Sequence, residues 1–265
     1  MRSPLSQVAK SIAATVVVAI GVTAGSLTSA TAQAHTAMAA SIAPNPQFKT
    51  TAACGTSGVS DTAVCNTAII AALNNARKIL KMASLPSNFS LTAFHKLNND
   101  EQIFTIANIE RTARGLAPIA GITVQLNNLA LTAANAQKDP STHLPLSLTG
   151  GGSAYDYGSN LAEGTANGMG ANYYWMYDDG LNSPNTECTT KNESSCWGHE
   201  DNILFRYNAV PGCSKGPVSI VMGAAEVTTG GTWPPVITEI FMSDCGAVPT
   251  LYFNWTTAKA LVFPA

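Results

Sequence analysis

The stretch "IANIERTARGLAPI", residues 106–119, decides how the rest of the chain is read. Ile103, Ile106, Ala107, Ile109 and Glu110 continue a helix expected to begin at Asn99 or Asp100. Gly115 ends it and Pro118 stands just beyond. Asn108 and Arg111 lie three residues apart and so share one helix face, from which arginine reaches a carboxylate or a loop carbonyl. The same Asn-x-x-Arg pair stands upstream in "ALNNARKILKMASLP" as Asn74 and Arg77, a two-residue match that chance also supplies.

Toward the N-terminus, Arg2 and Lys10 precede the apolar run "SIAATVVVAIGVTAGSL" (Ser11–Leu27), and "TSATAQA" offers an Ala-x-Ala site ending at Ala34. Residues 1–34 are expected to be a cleaved signal peptide. The run is shorter than the ~20 residues a spanning helix needs, and no later stretch is long enough. Residues 35–60, rich in Ala, Ser, Thr and Pro, read as a flexible mature N-terminus. Asp61 is the expected cap of a helix through "TAVCNTAIIAALNNARKILKMA", so residues 61–99 form a helical extension.

Export bears on Cys54, Cys65, Cys188, Cys196, Cys213 and Cys245, an even set that favours disulfides. The nearest-neighbour pairs Cys54–Cys65, Cys188–Cys196 and Cys213–Cys245 are expected. The chain has no Cys-x-x-Cys pair, which argues against cysteine-held zinc.

Toward the C-terminus, "ITVQLNNLALTAANAQKDP" reads as a further helix, stopped by Pro140. "THLPLSLTGGGSAYDYGSN" reads as a long loop, "LAEGTANGMGANYYWMYDDG" as an amphipathic helix and "LNSPNTECTTKNESSCWGHEDN" as a polar loop. "PVSIVMGAAEVT", "VITEIFMSDC" and "LYFNWTTAKALVF" read as strands, the first two as an antiparallel pair. Helices first and strands last give an α+β fold. Charged residues are 11% of the 265 and the net charge is −2, so nothing favours nucleic acid or anionic lipid as a partner. The nearest approach to a serine-hydrolase elbow, "GTSGVS", lacks the Gly-x-Ser-x-Gly spacing.

Several landmarks together resemble the CAP superfamily (cysteine-rich secretory, antigen 5 and pathogenesis-related 1 proteins; SCP-like domains), in particular its secreted actinobacterial members. "IANIERTARGLAPI" is similar to the family's opening helix, "LNNLALTAANAQ" to its Leu-Ala-x-x-Ala helix and "GSNLAEG" to its Gly-Glu-Asn-Leu/Ile-Ala box. "YWMYDDG" is similar to the helix whose Trp precedes the second site acid, and "CWGHEDNIL" to the Pro-Gly-His-Arg-x-Asn-Ile-Leu box. The resemblance covers roughly residues 100–246, in the family's order, and leaves 247–265 as a C-terminal strand or tail.

The resemblance implies an α-β-α sandwich with a cleft where two histidines and two acids bind a divalent metal such as zinc. His199 matches the second histidine, Asp178 the acid after the tryptophan, and His143 lies at a suitable distance for the first histidine. Ser159 replaces the Glu of Gly-Glu-Asn ahead of Asn160, and Glu200 replaces the Arg after the histidine. Glu163, one helical turn past Ser159, is the expected substitute acid. Losing a carboxylate weakens a zinc site, although a serine hydroxyl still hydrogen-bonds.

Each candidate also has an ordinary reading. His199 can simply hold its turn, with Cys196 and Gly198 shaping that turn. His143 can be a loop residue, Glu163 a solvated helix residue and Asp178 an acid of the "DDG" turn. Tyr173, Tyr174 and Trp175 read as core. The implied function is a secreted binding module, extracellular or in the cell envelope, for a lipid or sterol-like ligand or a protein partner. The alternatives are a metal-assisted hydrolase using a His/acid pair and a structural envelope protein.

Overall fold

Helix α1 (Ala63–Ile79) begins where the Thr62 hydroxyl accepts the Cys65 amide at 3.2 Å. In the computed structural model, residue 54 and residues 62–190, 195–204, 218–229 and 233–264 are described, all within one unit spanning 39–265. The export segment, residues 35–60 apart from Cys54, Asp61 and Cys213 lie outside the described residues. Thr62 carries the observed cap.

A short helix α2 (Leu91–Phe94) leads to α3 (Asn99–Ala113). The Asn98 side chain accepts the Glu101 amide and the Glu101 carboxylate accepts the Asn98 amide, a reciprocal cap that starts α3 where the sequence placed it. Strand β1 (Gly121–Ile122), α4 (Val124–Ala136), β2 (Leu146–Ser147) and β3 (Ser153–Glu163) follow. Then come α5 (Gly168–Tyr177), α6 (Gly198–Ile203), β4 (Val218–Val227), β5 (Val236–Cys245), β6 (Phe253–Asn254) and α7 (Trp255–Val262).

The strands form one mixed sheet in the order β2-β3-β5-β4-β1-β6. Only β1 with β4 is parallel. β5 lies between β3 and β4 and is buried throughout, its six apolar residues interrupted by the buried Thr238, Glu239, Ser243 and Asp244.

Alternate residues feed two cores. Met222, Ala224, Ile237 and Phe241 pack with α1, α3, α5 and α7, while Val221, Ile240 and Met242 pack under Leu126, Ala130 and Ala134 of α4. Helices therefore cover both faces of an α+β sheet. The contact of α4 with β4 is close: a Cβ on Gly223 would lie 2.1 Å from the Leu126 carbonyl carbon. Gly223→Ala is expected to cost about 3 kcal/mol or more in urea unfolding, because the backbone itself must move.

Three sequence expectations need correction. Residues 153–160, expected as loop, belong to β3, which pairs with β5 along its whole length. That tertiary pairing overrides the Gly, Ser and Asp composition. The expected helix from Leu161 starts only at Gly168, capped by Asn167, because Leu161–Glu163 complete β3. The expected last strand is a two-residue bridge followed by α7. Asn254 accepts the Thr257 amide, and Trp255, Ala258 and Val262 turn to the core at helical spacing.

The two Asn-x-x-Arg pairs have the same geometry. Asn74 Oδ1 accepts the Leu85 amide at 2.8 Å, and Asn108 Oδ1 accepts the Ile119 amide at 2.7 Å. Arg77 Nε donates to the Ala83 carbonyl and Arg111 Nε to that of Ala117. Met82 N donates to Arg77 O just as Leu116 N donates to Arg111 O. Both helices end on a left-handed residue, Lys81 (φ 58°) and Gly115 (φ 71°). A lysine there carries steric strain that glycine does not. Lys81→Gly is expected to stabilise the fold by about 0.5–1 kcal/mol, read as a higher urea midpoint.

Segment 61–99 does not stand apart: Cys65, Ile69, Leu73 and Ala76 of α1 lie in the core shared with α3 and α5. Cys54–Cys65 and Cys188–Cys196 are disulfides. Cys245 is also disulfide-bonded, and Cys213, its expected partner, lies outside the described residues. Among the described residues no helix is long and apolar enough to cross a membrane. Both features are compatible with secretion.

Candidate functional site

The turn into α6 does not rest on Gly198, which needs no special backbone angle. Trp197 is the left-handed residue (φ 67°), and it caps the helix without a side-chain hydrogen bond. The missing cap comes from Asp179, just past the end of α5. Asp179 Oδ2 accepts the His199 amide at 3.0 Å, Asp179 Oδ1 lies 2.6 Å from His199 Nδ1, and the Trp197 amide donates to Asp179 O. One carboxylate thereby fixes both the backbone and the ring of His199. Asn185 Nδ2 donates to Asp179 Oδ1 at 2.8 Å and holds it from the other side.

Beneath α6, Asn160 is fully buried. Its Nδ2 donates to His199 O at 3.1 Å and to Glu239 Oε1 at 2.7 Å, and its Oδ1 accepts from Asn202 Nδ2. Asn202 Nδ2 also donates to Ser159 O. The Asn of "GSNLAEG" and the Asn of "GHEDNIL" thus lock α6 onto β3.

His199 lines a cavity of about 400 Å³ between β3, α5 and the loop after α5. Burial pulls its pKa down, but the hydrogen bond and charge of Asp179 prevail and raise it above the ordinary histidine value. Nε2 has no hydrogen-bond partner among the described residues. The Trp175 ring stacks against the imidazole at 6.5 Å and 23°, and Trp175 Nε1 donates to Leu161 O. Trp175, read from sequence as core, is therefore also a wall of the cavity.

Three sequence candidates, His199, Glu163 and Asp178, line this one cavity. Glu163 is not one helical turn from Ser159: both lie on β3, about 13 Å apart along the strand. Glu163 accepts from Gln137 Nε2 at 3.0 Å. Asp178 is 2% exposed, neither of its oxygens has a hydrogen-bond partner among the described residues, and burial beside Asp179 lifts its pKa to about 6.

The other candidates lie elsewhere. His143 is exposed on the loop before β2 and does not line the cavity. Ser159 and Asn160 serve α6 from below. Glu200 is buried and is not on the cavity lining; desolvation lifts its pKa to about 7 and Arg114 pulls it down. Asp179 was missed because two adjacent acids look alike in sequence, and only the direction in which α5 ends separates them. Asp139 and Glu187, also on the lining, carried no motif.

Zinc needs three or four converging ligands. Among the described residues no group of three or more His, Cys, Asp or Glu side chains is placed to hold a metal ion, so the donor set does not fit one. No family model, curated protein or solved structure matches the chain.

Proposed function

We propose that the chain is a secreted, extracellular or envelope-associated binding module of the CAP/SCP-like kind, an α-β-α sandwich whose ligand cleft is the His199 cavity. The observation that carries this reading is the Asp179-fixed imidazole on the wall of a 400 Å³ hollow, a volume suited to a small molecule. The order of the resembling boxes, helices on both sheet faces and two described disulfides support it.

The test is a fragment panel read by thermal shift and by indole emission. A cleft ligand at free concentration L stabilises the wild-type protein by RT ln(1 + L/Kd), so the midpoint rises with the logarithm of ligand concentration once that exceeds Kd. The same ligand is expected to lose most of that effect in Asp179→Asn and to change emission in the wild-type protein but not in Trp175→Phe. A panel whose hits all survive both substitutions contradicts the reading.

The free Nε2 favours one second reading, a metal-free hydrolase in which Asp179 orients His199 as general base. That reading expects hydrolysis that falls as the imidazole is protonated and vanishes in His199→Ala.

A further inference from the structure

We infer that the ligand of the His199 cavity bears an organic cation, an ammonium or guanidinium group. This rests on the reading of that cavity as the binding site. Five acids line the hollow: Asp139, Glu163, Asp178, Asp179 and Glu187. Among the described lining residues there is no Lys or Arg, and Asp179 alone is committed to His199. The whole chain is nearly neutral at −2, so this concentration of one sign is local.

Unpartnered acceptors provide the independent sign. Both oxygens of Asp178 and the hydroxyl of Thr165 are buried, lie on residues that line the cavity and have no hydrogen-bond partner among the described residues. A native interior rarely leaves a carboxylate in this state without a donor to receive. The acids are spread around the walls instead of converging, which defeats a metal ion. It suits an ammonium or guanidinium, whose three or five N–H donors point in different directions. Trp175 and Tyr174 on the same lining add aromatic surface suited to packing against the alkyl stem of such a cation. A sterol or fatty acid would instead strip water from the carboxylates without supplying a donor.

The experiment is a titration of the full mature chain, followed by the His199 ring resonances in NMR. The four histidines are distinguished by comparison with His199→Gln. Putrescine and agmatine represent free small cations, and a Lys- or Arg-containing tripeptide represents the same groups on a chain. 1,4-Butanediol and succinate are the uncharged and anionic counterparts. The cations are expected to shift His199 and to bind at least tenfold more tightly than the diol or succinate. The free-amine and peptide arms identify the source.

Asp178→Asn is expected to weaken cation binding at least tenfold, whereas Asp156→Asn, on an exposed stretch of β3, leaves it unchanged. If Asp178→Asn does not fold, Glu163→Gln, at a half-buried position, serves in its place. Preferential binding of diol or succinate at His199 overturns this inference and leaves the binding-module reading standing. Silence of His199 toward every probe overturns both. Equal affinity in the Asp178 or Glu163 variant overturns the assignment to these carboxylates.

Discussion

Replacing Glu110 by Ala is expected to lower stability by about 3–5 kcal/mol, the cost of leaving buried charges without their partner. Glu110 is fully buried on α3. It accepts from Arg77 Nη1 at 3.1 Å, from Arg114 Nη1 at 2.5 Å and from the Tyr177 hydroxyl at 2.6 Å. Arg77 comes from α1 and Tyr177 from α5, so one carboxylate fastens three helices. Both guanidiniums are also buried, with side-chain exposures of 2% and 9%. Removing the carboxylate leaves two cations in the interior. Urea unfolding followed by circular dichroism is expected to show a lower midpoint with an unchanged slope. A variant within about 1 kcal/mol of the parent would show that the network does not hold the helices together.

Stability is expected to fall as pH rises from about 5 to 8. Burial lifts Glu239 to about 8, Glu200 to about 7, and Asp178 and Asp244 to about 6, against ordinary values of 4.5 for Glu and 3.8 for Asp. Between each ordinary value and the raised one, the folded chain holds a proton that the unfolded chain has lost. Unfolding therefore becomes easier with every step up in pH. His199 acts in the same direction. Its raised pKa contributes stability that is fully present below 6.5 and is lost as pH climbs through the folded value. The combined loss is on the order of a few kcal/mol, led by Glu239, whose Oε2 has no partner among the described residues. Glu239→Gln keeps the Asn160 contact through the side-chain oxygen. It is expected to raise the thermal midpoint at pH 8 by several degrees and to flatten the profile. A wild-type midpoint that climbs from pH 5 to 8 would contradict the burial of these acids.

Much of the fold was legible where sequence and local physics agree. The α3 capping box, the helical spacing of Ile69, Leu73 and Ala76, and the β-branched and aromatic residues of β5 all point one way. β3 was not legible, because its strand character comes from β5 beside it and not from Ser, Gly and Asp themselves. α7 was misread because "LYFNWTTAKALVF" has β-rich composition but a helical spacing of core residues after the Asn254 cap. The Asn-x-x-Arg echo looked cheap at two residues. Its content is the full helix ending, in which Asn and Arg capture the returning chain.

At the site, the boxes around His199 and Asn160 were visible, and their joint role in seating α6 follows from the Asn160 and Asn202 hydrogen bonds. Choosing Asp179 over Asp178, and excluding His143, required the path of the backbone.

The most direct test of the account is the pH titration of the His199 ring nitrogens by NMR in the wild-type protein and in Asp179→Asn. The expected result is an imidazole that titrates above 6.5, with Nδ1 protonated throughout, and that falls when Asp179 loses its charge, because the hydrogen bond and the charge of that carboxylate are what raise it. An ordinary value that does not respond to the substitution would mean that Asp179 does not hold the ring, and the cavity would lose its organising residue.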